Sequence, residues 1–133
     1  MELLTTPKTE YLLQASLEVL HEQSREYLKE IDFMKVEITF FNKLLNKNAG
    51  KQFPTEQAAA LGKRMVKFVT RSLPDLRKKI TEHERSLSDI IRTDTLGRQE
   101  YYREIHRDLT KEMSMCRDTF IRLKKKVFSF AKK

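Results

Sequence analysis

Apolar residues in this chain recur at alternating steps of four and three, and that spacing constrains the fold more than any other feature. Leu13, Leu17, Leu20, Ser24, Tyr27, Ile31, Met34, Ile38, Phe41 and Leu45 form one ladder, interrupted only by Ser24. Val66, Val69, Leu73, Leu76, Ile80, His83, Leu87 and Ile90 form a second. Tyr102, His106, Leu109, Met113, Cys116, Phe120, Leu123, Val127 and Phe130 form a third. A half-buried strand would alternate with period two, whereas a mean step of about 3.5 belongs to helices packed side by side. The expected fold class is all-α: an elongated antiparallel, up-down-up bundle of three long helices with coiled-coil-like heptad packing.

Punctuation along the sequence sets the expected boundaries. Thr6 is a fitting N-cap with Pro7 at the first helical position. Asn46, Asn48 and Gly50 supply stop signals after Leu45, which places a turn near Ala49 to Pro54. Thr55 suits an N-cap, with Glu56 in the first turn of a second helix that continues to about Arg92. Thr93 to Gly97 forms the next turn, and a third helix starts near Arg98.

Pro74 falls inside the second helix, and two readings of it compete. Ser72 and Asp75 match a Ser-x-x-Asp capping pattern that would split the helix in two. The heptad phase instead runs through Leu73, Leu76 and Ile80, which favours one helix kinked at the proline.

The 133 residues are enough for a single domain with its own core, spanning 1–133. Only three glycines and three prolines occur, and no Gly/Ser- or Pro-rich stretch suggests a linker. Cys116 is the single cysteine, so no internal disulfide can form and a reducing compartment fits. The opening residues have neither a basic n-region nor an apolar h-region, so no signal peptide is expected. No apolar run is long enough to span a bilayer, and a cytoplasmic location is expected.

The formal net charge is +8, and its layout says more than its size. Folding the ladders back on one another gathers eighteen positive and four negative residues at one end of the rod, leaving the other end acidic. A basic pole attracts acidic or phosphate-rich surfaces. Lys63, Arg64, Lys67, Arg71, Arg122, Lys124, Lys125 and Lys126 are the candidate residues for docking an anionic partner. That partner would be an acidic protein surface, a second copy of the chain, or a nucleic acid held through its phosphates. Leu123, Val127 and Phe130 are already claimed by the ladder, leaving mainly Phe128 free, so a membrane surface is not an expected partner. No zinc-finger spacing or glycine-rich nucleic-acid loop occurs.

All three histidines fall at the acidic end. Glu18 and His21 form a Glu-x-x-His pair, the unit used twice in di-metal bundles, but no second pair accompanies it. The alternative function is thus a metal-binding or catalytic bundle built from His21, His83, His106 and Glu18. The competing structural reading is a polar layer of Ser24, Tyr27, His83 and His106 that fixes helix register. Cys116 sits on a ladder and reads as a buried small residue, and no triad, phosphate loop or paired-acid constellation appears. The expected function is a non-enzymatic interaction module without a cofactor or small-molecule substrate.

Overall fold

A computed structural model describes residues 16–52, 56–93 and 99–131, and every described residue is helical. The elements are α1 (Ser16–Gln52), α2 (Glu56–Lys67), a π-helical turn (Phe68–Ser72), α3 (Leu73–Thr93) and α4 (Gln99–Ala131). Because α2, the π turn and α3 follow without a gap, they make one long second helix. The described residues form an all-α bundle of three helices. The expected caps at Thr6 and Thr55, Pro7, the ladder residue Leu13 and most of the turn before Gly97 lie outside the described residues.

Cross-helix partners give the chain directions. His21 meets Glu84 and Asp32 meets Arg77, so α1 and α3 run in opposite senses. Lys79 meets Glu112 and His83 meets His106, so α4 reverses again. Tyr27 meets Thr110, Glu30 meets Arg117 and Lys124 meets Glu37, which sets α1 and α4 side by side in the same sense.

The first and third ladders are inside as expected. Leu17, Ser24, Ile31, Met34, Ile38, Phe41 and Leu45 are buried along α1. His106, Leu109, Met113, Cys116, Leu123 and Val127 are buried along α4. The main apolar cluster runs from Ile31 to Val127 through all three helices, and a smaller one holds Leu17, Leu87 and Ile90.

The second ladder is corrected in its first half. Val66 is 48% exposed and Val69 only half-buried, while Ala58, Leu61, Met65 and Phe68 are buried instead. The buried positions step 58, 61, 65, 68 and then jump five residues to Leu73 before resuming at 76, 80, 83, 87 and 90. That extra residue is the π turn. Pro74 has no N–H to give the carbonyl four residues back, and its ring crowds that carbonyl. Widening the preceding turn relieves both problems, and the Leu73 N–H bonds to the Phe68 carbonyl, five residues back. Thr70 Oγ1 also donates to the Val66 carbonyl at 2.7 Å inside this turn. The helix is therefore neither split nor kept in unbroken phase.

The first helix also outlasts its expected stop, continuing past Asn46, Asn48 and Gly50 to Gln52. Asn and Gly permit a helix end without imposing one; a glycine inside a helix costs only about 1 kcal/mol.

The phase slip generates a test. Deleting exposed Arg71 together with Pro74→Ala converts the five-residue step into a four-residue one and restores an unbroken ladder. That variant is expected to keep its helix content and a cooperative melt. Deleting exposed Arg85 puts Leu87 and Ile90 out of register and should cost several kcal/mol, at about 1.5–3 kcal/mol per side chain lost from the core. Circular dichroism melts distinguish the two.

Candidate functional site: a basic groove between the second and third helices

Arg64 and Lys67 lie one turn apart on α2, and Arg122 and Lys126 lie one turn apart on α4. Residues three or four apart share a helix face. The two antiparallel helices turn these faces toward each other, and all four cations line one hollow of about 350 Å³. Phe68 and Leu123, both buried, line it with them, and Ser72 and Thr119 complete its lining. A second hollow of about 360 Å³ continues past Arg64 and Lys126 to Gln57, Ser129 and Phe130. Among the described residues no carboxylate lines either hollow.

The four cations are also uncommitted. Among the described residues none of them enters an ion pair, whereas cations elsewhere do. Arg77 holds Asp32 at 2.9 Å, and that hydrogen bond keeps the Asp32 carboxyl below its usual range. Arg117 donates two hydrogen bonds to Glu30, one at 2.8 Å, which raises the arginine's affinity for its proton further. Lys79 pairs with Glu112 at 3.1 Å.

The eight candidate cations separate on this geometry. Arg64, Lys67, Arg122 and Lys126 converge. Lys63, Arg71 and Lys125 are exposed but do not line the groove. Lys124 points to the other seam of α4, pairing with Glu37 at 3.5 Å, its Nζ 5.8 Å from the Phe41 and Phe120 ring centres. Sequence reasoning missed Phe68, Ser72 and Thr119. Phe68 was hidden by the phase slip, and the hydroxyls had no periodic signal at all.

Further along the same seam the character changes. A hollow of about 460 Å³ is lined by Tyr101, Tyr102, Glu82, Asp108 and His83. His83 and His106 are both 4% exposed and in direct contact, Nε2 of His83 lying 3.1 Å from Nδ1 of His106. His106 Nε2 lies 2.8 Å from the Gln23 amide oxygen. An amide oxygen only accepts, so His106 Nε2 carries the proton and its Nδ1 receives one from His83. His83 Nδ1 then keeps a bare lone pair, with no hydrogen-bond partner among the described residues. Tyr27 stacks on His106 at 5.9 Å and hydrogen-bonds Thr110. Ser24 Oγ donates to the Leu20 carbonyl. The four residues of the expected polar layer thus lie at one level between the two apolar clusters.

This layer stays uncharged. Burial, and secondarily the neighbouring His106, push His83 down to about 4, and burial lowers His106 too. His21 stands apart, bonded to Glu84 at 3.1 Å, and Glu18 is exposed. Among the described residues no group of three His, Cys, Asp or Glu side chains is placed to hold a metal ion. Cys116 is buried, and burial pushes its thiol up to about 11, far from a reactive thiolate.

No protein-family model, curated protein or solved structure matches the chain. Its class is therefore set by the bundle and its grooves alone.

The neutral histidine layer predicts a pH dependence. Unfolded His83 titrates near 6.5 and folded His83 near 4, so the unfolded state binds more protons between those values. The stability this layer contributes is complete above about pH 6.5 and declines as pH falls toward 4, at up to ~1.4 kcal/mol per pH unit for one group. Replacing His83 with Gln should flatten that slope in urea melts taken from pH 7 to pH 4.

Proposed function

We propose that the protein is a non-enzymatic helical docking module whose groove between α2 and α4 receives an anionic partner, either an acidic protein segment or nucleic-acid phosphates. One observation carries this reading: four cations with no ion-pair partner among the described residues face a single groove that no described carboxylate lines. Held near one another, they repel, and no partner among the described residues relieves that repulsion. A bound anion would relieve it, and low-dielectric walls beside the charges strengthen the attraction. Arginine favours bidentate contact with carboxylate or phosphate, which suits Arg64 and Arg122 to either ligand.

The groove's membership makes the reading testable. A labelled single-stranded oligonucleotide and a glutamate-rich peptide are titrated separately and followed by fluorescence anisotropy. If four phosphates are neutralised, oligonucleotide affinity should fall roughly fiftyfold between 50 and 200 mM salt. Arg64→Glu with Lys126→Glu should weaken binding at least about tenfold, because each charge-assisted contact contributes about 1.5–3 kcal/mol. Lys125→Glu, outside the groove, should change it far less. Binding of neither probe at low salt, or equal loss from both variants, contradicts the proposal.

A further inference from the structure

The outer face of α1 carries an apolar stripe that the bundle does not cover. Phe33, Val36 and Phe40 are 58%, 68% and 59% exposed. Their steps of three and four place them on one face, turned away from the residues that meet the other helices. His21 and Asp32 reach toward α3, while Gln23, Tyr27, Glu30 and Glu37 reach toward α4. The stripe lies on neither side.

The stripe is symmetric in kind. Phe, Val and Phe present the same order of side chains when the helix is turned end for end. Its flanks are opposite in charge: Glu22 and Glu26 before it, Lys43 and Lys47 after it, all four exposed. We propose that this face binds a second copy of the chain, α1 against α1 in antiparallel sense about a two-fold axis near Val36. Phe33 then packs on Phe40 of the second copy, and Glu26 comes opposite Lys47, each contact occurring twice as two-fold symmetry requires. Lys29, weakly tied to Glu26 at 3.5 Å, falls across from half-buried Leu44, which its aliphatic stem can cover. A parallel pairing would set Glu against Glu and Lys against Lys.

The arrangement also fits the molecule's larger charge pattern. An antiparallel pair lays the basic half of each rod beside the acidic half of the other. The cation-lined hollow is built by α2, the π turn and α4 without any residue of α1, so both copies keep it open, at opposite ends of the pair. The dimer does not depend on what that groove binds.

Sedimentation equilibrium on the full chain tests this, at concentrations up to about 100 µM, where interfaces at the small end of the range become populated. The expected mass is twice 15.8 kDa, with dissociation favoured by salt. Val36→Glu should return the protein to monomer. Glu26→Lys should weaken the pair at least about fivefold, and adding Lys47→Glu should restore it, since the swapped charges meet again across the axis. All these sites are exposed, so circular dichroism should show each variant folded. A wild-type chain that stays monomeric, a Val36→Glu variant that still dimerises, or a double variant that fails to recover overturns the proposal.

Discussion

Keeping one apolar stripe of the second helix on the core through Pro74 is the constraint on which the rest of this structure depends. The proline cannot be accommodated in a regular turn without losing a hydrogen bond and clashing with the carbonyl behind it. Widening that turn costs roughly one hydrogen bond's net worth, about 1 kcal/mol. Letting the phase run on unbroken would turn Leu61, Met65 and Phe68 away from the centre, at about 1.5–3 kcal/mol for each. Burial wins, and the added residue in the π turn keeps both halves of the helix facing inward. The groove follows from the same event. With Phe68 held inward, Arg64 and Lys67 face Arg122 and Lys126 across the seam.

Charge is used differently on the two sides of the bundle. Along the seams of α1, carboxylates take up cations: Asp32 with Arg77, Glu30 with Arg117, Glu37 with Lys124. These pairs are only partly shielded from solvent and contribute little to stability, of the order of 1 kcal/mol each. They match helix to helix in register. Along the seam between α2 and α4 no described carboxylate lines the hollow, and the cations remain. A surface that only needed solubility would intersperse both signs. The histidine layer at the other end is the opposite device, polar but kept neutral by burial and by one another.

Helices one and three were legible in the sequence almost position by position, because the ladder in each keeps one phase from end to end, even though helix one carries a second apolar stripe through Phe33, Val36 and Phe40. The second helix was not. Between 58 and 69 it offers two overlapping stripes, Ala58, Leu61, Met65 and Phe68 on one and Val66 and Val69 on another, and hydrophobicity alone does not choose. Continuity past Leu73 favoured the valines, and the structure takes the other stripe because Pro74 demands an extra residue. Charge and folding direction led to the expectation of a basic pole. Which cations meet could not be read, since Lys124 and Lys126 differ by only two positions and face different helices. His83 and His106 were read as members of one polar layer, but their direct contact, and the pairing of His21 with Glu84, depend on side-chain geometry that spacing does not encode.

The most direct measurement is thiol labelling at two adjacent positions, Met65→Cys and Val66→Cys, each in the folded protein. Native Cys116 is buried with a raised pKa and should react slowly, giving a clean background. With the phase slipped at the π turn, Val66→Cys should label nearly as fast as an unstructured peptide. Met65→Cys should label at least about a hundredfold more slowly, since it needs a local opening of roughly 3 kcal/mol. A slow Val66→Cys beside a faster Met65→Cys would mean that the unbroken phase is the true one, and the groove as described would not exist.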